Sequence, residues 1–186
     1  MLVVGTNCGF VSAAPSIDPG ETGLPCDGNA FAFRATSPAG NNVITEIGFW
    51  QGGSENDDAK YNVGIYNNDD GEPGSLIATQ KTGQSTTNTP GWYKYTGLNI
   101  AISPSTVYFI AVGIEPVSQS NWTDFVWDAD ELYRFEALES ETLSDPFVVD
   151  GGPTMLISIY AKYEAAPPAP TGNINGPLVG PMGGAI

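Results

Sequence analysis

The chain has 186 residues, of which 41% are hydrophobic and 11% aromatic, enough for one ordinary domain with a real core and no need of cross-links. Six Lys plus Arg stand against 21 Asp plus Glu, a net charge of −15 with no His at all, so the surface repels nucleic-acid phosphates and anionic membranes, and neither is expected as a partner. Charged residues make up 15% of the chain, below the roughly 25% of ordinary soluble domains, while 23 Gly and 15 Pro punctuate it at short intervals, a mixture that favours many short strands over long helices.

The opening MLVVGTNCGFVSAAPS carries the small residues of a signal-peptidase site at positions 11–13, ahead of Ala14. No basic residue precedes them, and Thr6 and Asn7 interrupt the apolar run, so no signal peptide is expected. No stretch approaches the roughly 20 apolar residues of a membrane span, and synthesis as a soluble protein in the cytoplasm is expected. Cys8 and Cys26 make a weak disulfide pattern in a chain of this size and read as thiols ahead of a bridge. Two thiols without His are too few for a Cys/His metal centre.

Apolar, aromatic and β-branched runs then recur at Phe31–Ala35, Val43–Trp50, Tyr61–Tyr66, Leu76–Lys81, Trp92–Thr96, Thr106–Ile114 and Met155–Tyr163. Each is bounded by Gly, Pro, Asn, Asp or Ser, the pattern of an all-β protein built as an antiparallel β-sandwich. In KYNVGIY, Tyr61, Val63 and Ile65 share one face of a pleat, and Asn62 and Gly64 share the other. TVYFIAVGI reads as a central strand buried on both faces, and MLISIYAKY as one mostly buried strand carrying Leu156, Ile157, Ile159 and Ala161.

Between two of these runs lies NNDDGEPG. A calcium loop needs alternate acids in register around a glycine turn. With Gly71 at the sixth position the first would be Tyr66, which is no carboxylate. As a turn the segment fits: Asp70-Gly71 tolerates left-handed backbone, and Pro73-Gly74 supplies a fixed φ followed by a permissive residue. The run is read as a connection between strands, and so is the acidic GGSENDDAK at 52–60. No metal and no cofactor is expected.

VGIYNNDDGEPGSLIATQ followed by GWYKYTGLNIAISPSTVYFIAVGI resembles a jelly-roll-like β-sandwich module of tailed-phage virion proteins and some bacterial surface proteins. In that module a GIY hairpin closing on PG and Leu precedes a GW strand and an aliphatic strand. The resemblance covers about residues 43–114. It implies a virion surface location and a role among capsid decorations, fibre heads and carbohydrate-binding domains; it transfers no binding residue.

The absence of His excludes Ser-His-Asp and Cys-His catalysis. A paired-carboxylate glycosidase would have to draw on Asp128, Asp130, Glu131, Glu136, Glu139 and Glu141, all crowded on DADELYRFEALESETL, whereas the chemistry needs two carboxyls facing each other across a cleft. No enzyme is expected. That segment, 128–143, is the one helix-like stretch, with Leu132, Phe135 and Leu138 at three-residue spacing; it reads as a short helix or an irregular acidic loop over the sandwich. A sugar site would use Trp122 and Trp127 as platforms with Asn121 and Asp124 at their rims, the alternative being that these rings plug the end of the sandwich, the commoner use of such aromatics.

From Ala165 the composition changes to AAPPAPTGNINGPLVGPMGGAI, with five Pro and five Gly in 22 residues and no charged residue after Glu164. Such a segment holds neither a ladder nor a helix. The division is a sandwich over 1–164 and an extended C-terminal arm over 165–186, whose Ile174, Leu178, Val179, Met182 and Ile186 are apolar anchors for a neighbour. The expected protein is a non-catalytic capsid decoration or cement protein. It would bind other virion proteins of the capsid or tail and copies of itself as a homo-oligomer, a trimer in first place. The alternative is a tail-fibre or receptor-binding module that takes a host surface glycan.

Overall fold

The computed structural model describes residues 1–20, 22–25, 28–52, 59–86, 89–115, 124–137, 142–151 and 154–167. Among these residues eleven strands follow one another: β1 (Gly9–Val11), β2 (Thr22–Pro25), β3 (Asn29–Thr36), β4 (Asn42–Gln51), β5 (Lys60–Asp69), β6 (Glu72–Ser85), β7 (Gly91–Ile102), β8 (Val107–Ile114), β9 (Asp124–Ala137), β10 (Thr154–Ile157) and β11 (Ile159–Ala165). They form two sheets, one of four strands in the order β1-β11-β4-β7 and one of seven in the order β10-β9-β3-β8-β5-β6, with β2 added on β9. The protein is an all-β sandwich. Its pairs are antiparallel except β1 on β11, which is parallel.

Period-two alternation decides which faces meet. Tyr61, Val63 and Ile65 of β5 enter the main core with Phe31, Phe33, Ile47 and Phe49, as the sequence indicates. The next outward residue, Tyr66, joins a second cluster with Ala30, Ala32, Phe109 and Ala111 on the far side of the seven-stranded sheet. That far side is closed by residues 142–150. Leu143 and Phe147 lie on it, Phe147 meets the Tyr66 ring edge-on at 5.2 Å, and Tyr66 donates its hydroxyl proton to the Ser144 carbonyl at 2.7 Å. The strand β8 is therefore buried on both faces, as its unbroken apolar run indicates. Gly64 makes room for this cover, since a Cβ there would stand 2.6 Å from Leu143 Cδ1.

The hairpin between β5 and β6 turns on Asp70 (φ 49°) and Gly71 (φ 92°), two consecutive left-handed residues that suit the twist of the flanking strands. Pro73-Gly74 is no part of that turn. Both residues lie within β6, Pro73 opposite Asn68, and Gly74 is needed because the Asn67 amide fills the place of its Cβ.

Two further expectations are corrected. Residues 128–137 are neither helix nor loop but the continuation of β9, with Leu132 opposite Thr154, Tyr133 opposite Phe33 and Phe135 opposite Phe31. The ladders offered by β3 and β10 outweigh the three-residue spacing, and a helix would have stacked like charges one turn apart. MLISIYAKY is not one strand: it breaks at Ser158 into β10 of one sheet and β11 of the other. At this crossing Ser158 is fully buried, and all its polar groups are used. Its N–H donates to the Val126 carbonyl (3.0 Å) and its carbonyl accepts from the Trp50 N–H (2.9 Å). Its hydroxyl accepts from the Val126 N–H (3.1 Å) and donates to the Trp50 carbonyl (3.3 Å).

Replacing Ser158 by Ala strands the buried Val126 N–H and is expected to cost about 1–3 kcal/mol of unfolding free energy in a urea titration. Gly64→Ala, which drives a methyl group into Leu143, is expected to cost a similar ~1–3 kcal/mol. A midpoint unchanged in either variant would contradict the role assigned to that residue.

Candidate functional site

Residues 1–8 fold into a tight loop. The Thr6 and Asn7 N–H groups donate to the Val3 carbonyl (3.0 and 3.1 Å), and the Asn7 side chain closes the other side, its Oδ1 accepting from the Val3 N–H (2.7 Å) and its amide donating to the Met1 carbonyl (3.1 Å). Leu2 is buried in the core, and its N–H donates to Asp128 Oδ2 (3.0 Å), which pins the loop to β9. With the loop's polar groups turned inward on one another, Val3 and Val4 are left about half exposed.

After β1 the chain returns along residues 12–20. Trp92 Nε1 donates to the Ile17 carbonyl (3.0 Å), and the Met1 nitrogen meets the Pro19 carbonyl. Between the loop and this return lies an open cavity of about 370 Å³, lined by Met1, Asn7, Ala13, Ala14, Pro15 and Ile17 among others. Ile17 is 79% exposed, and Trp127, which adjoins Asp128 and rests over Gly23 of β2, is 43% exposed. At this corner, where Asp128 pins the loop to β9 and Pro19 meets Met1, Val3, Val4, Ile17 and Trp127 are each exposed apolar side chains on a chain of charge −15.

The return segment is held by a rigid support. Register places Glu46, Gly48 and Trp50 of β4 on one face with Trp92 and Lys94 of β7 and Tyr160 and Lys162 of β11. Trp92 meets Trp50 and Tyr160 edge-on at 5.5 and 5.3 Å. The Tyr160 ring crosses Gly48, where a Cβ would stand 2.8 Å from it, to donate to Glu46 Oε1 at 2.5 Å; Lys94 Nζ is 3.5 Å from the other carboxylate oxygen. Burial, and then the hydrogen bond to Glu46, push the Tyr160 phenol far above its ordinary range.

Of the residues singled out for sugar binding, Trp127 is exposed as a platform would be, and Asp124 opens β9 opposite Pro25. Asn121 and Trp122 lie outside the described residues, as do Ile174, Leu178, Val179, Met182 and Ile186 of the arm, Cys26 and the centre of the acidic turn at 52–60. Cys8 is buried. Asp128 is engaged by the Leu2 N–H, Asp130, Glu131 and Glu136 fall on β9, and Glu139 and Glu141 are outside the described residues. Among the described residues no three acids, Cys or His converge as metal ligands would, and no helix is long and apolar enough to cross a membrane. Sequence reasoning missed Val3, Val4 and Ile17. The signal for the first two was present in MLVV, an apolar run with no strand to bury it.

No family model, no curated protein and no solved structure matches the chain. The fold and the site define it as a β-sandwich with an exposed apolar corner.

Tyr61 is a second phenol held in the core. Burial pushes it up to about 12 from the ordinary 10.0, although its hydroxyl donates to the Lys94 carbonyl at 3.2 Å. The folded chain keeps this proton to higher pH than the unfolded chain does, so the stability present below pH 10 is lost as pH rises through the folded value. Unfolding free energy measured by urea titration is expected to stay level up to about pH 10 and to fall toward pH 12, with Tyr61→Phe removing part of the fall. A rise in stability over that interval would contradict the burial of these phenols.

Proposed function

We propose that this chain is a non-catalytic structural protein of a virion surface, a capsid decoration or cement protein that docks through apolar contacts. The observation that carries the reading is the exposure of the apolar side chains of Val3, Val4, Ile17 and Trp127 on a body of charge −15. Such a body approaches an assembly against its own repulsion unless the contact is uncharged. The resemblance of residues 43–114 to phage virion modules supports the location. The uncharged arm supports the mode, and it leaves the sandwich at a fixed place, where the Ala166 N–H donates to the Asn41 carbonyl at 3.0 Å. The reading gives the arm's Leu178, Val179 and Met182 the role of contacts to neighbouring virion proteins. The exposure of Trp127 favours one other reading, a tail-fibre module that stacks a host glycan on this ring.

Co-sedimentation of the purified protein with undecorated particles across a salt series separates apolar from ionic docking. Attachment is expected to persist or strengthen as salt rises, because screening removes repulsion between acidic bodies. Ile17→Asp, Leu178→Asp and removal of residues 168–186 should each weaken it about tenfold or more, the equivalent of one apolar side chain of ~1.5–3 kcal/mol left unburied. Truncation should leave the thermal unfolding of the sandwich unchanged. Release at moderate salt with Leu178→Asp still attached would overturn the apolar mode, and glycan-array binding lost in Trp127→Ala would replace the decoration reading by the fibre one.

A further inference from the structure

We propose that the flank of the sandwich formed by β6 and β7 is a contact face for a second copy of this chain. The first observation is a segregation of charge. All 21 acids lie outside residues 73–114, a stretch that holds Lys81 and Lys94 as its only charged residues. That stretch covers β6 from its second residue, the whole of β7 and the whole of β8.

The fold turns this stretch into a surface. The strand β8 is interior, between β3 and β5, whereas β6 is the last strand of the seven-stranded sheet and β7 the last of the four-stranded one. The two end strands lie on the same side of the sandwich, β7 facing β6 across the layers, with Tyr61 of β5 reaching over to the Lys94 carbonyl and meeting Tyr93 at 6.3 Å. One flank of an otherwise acidic molecule is therefore free of acids on both sheets. Among its described exposed residues Thr79 and Gln80 on β6 and Thr96, Asn99 and Ala101 on β7 are neutral, and the one cation, Lys94, is held by Glu46. A cleft of about 510 Å³ beside β6, lined by Asn67, Asn68, Ile77, Thr106, Val107 and Tyr108, continues the neutral surface.

The backbone points the same way. Among the described residues nothing pairs with the outer edge of β6 or β7. An open edge of this length is a template for another strand unless charge, proline or bulges blunt it. In β6 the edge is blunted by Pro73 and by three register shifts against β5; β7 runs twelve residues with one shift against β4 and no proline. At the opposite side of the four-stranded sheet the last strand, β1, has three residues.

Charge selects the occupant. An acidic partner would seek cations, and Lys94, the one whose side chain is described on the flank, is already held by Glu46; a cationic partner would prefer the surfaces where the acids are. A second copy presented flank to flank brings together two edges that carry no acid from Pro73 to Ile114, which limits the repulsion between the acidic bodies. A dyad between identical edges also closes the assembly rather than propagating it.

Sedimentation velocity of the whole chain over a range of concentrations tests this independently of the virion reading, which concerns the corner and the arm. A concentration-dependent larger species is expected, and its population should grow from low to moderate salt. Asn99→Asp and Gln80→Glu, conservative changes at exposed positions, should each weaken association by about tenfold while leaving the circular dichroism spectrum and melting temperature unchanged. Trp127→Ala, on β9 and away from both edge strands, should leave association as it is. A single monomeric species at every concentration would overturn the proposal, as would association indifferent to both flank acids or abolished by Trp127→Ala.

Discussion

At Ser158 the chain leaves the seven-stranded sheet for the four-stranded one, and the two layers are tied together through that residue. A buried residue at such a crossing carries an N–H, a carbonyl and a hydroxyl that no regular ladder can satisfy, and each would be costly if left without a partner. Trp50 and Val126 answer all of them, one from each sheet. The crossing thereby fixes the register of β10 on β9 and of β11 on β4 at the same point. The positions of Tyr160, Glu46 and Trp92 follow from that register.

Close approach is the second constraint, and two glycines make it available. Gly48 lets the Tyr160 ring cross β4 to reach Glu46, and Gly64 lets residues 142–150 close over the outer face of the larger sheet. The first builds the support on which Trp92 holds the return segment through Ile17. The second hides Phe109 and Tyr66, which would otherwise form an apolar patch on the sheet. Apolar exposure is thereby confined to places where the backbone has used its polar groups internally, as in the loop of residues 1–8.

Charge is distributed to the same effect. A body at −15 is soluble and self-repelling, so its contact surfaces have to be sought where that charge is missing. The arm beyond Glu164 and the flank of β6 and β7 are such places, and the corner around Ile17 adds exposed apolar side chains beside Asp18. They differ in kind. The corner and the arm offer apolar side chains, whereas the flank offers acid-free polar side chains and open backbone.

The sequence by itself determined that the protein is a β-sandwich, because period two in KYNVGIY and the unbroken apolar run of TVYFIAVGI are local consequences of which faces are buried. It also determined the Asp70-Gly71 turn, since left-handed backbone is a property of those residues alone, and the stretch without acids, which is a matter of counting. Only the tertiary structure decided the rest. Leu132, Phe135 and Leu138 carry a helical spacing that gives way once β3 and β10 offer their ladders, and Pro73-Gly74 has turn chemistry that is used for close packing inside β6. The apolar corner appears only when the Asn7 side chain and Asp128 draw the first residues onto β9. That the acid-free stretch lies along a flank, rather than inside the molecule, depends on β6 and β7 being the last strands of their sheets. Strand order is set by hydrogen bonds between residues far apart in the chain, and no local pattern encodes it.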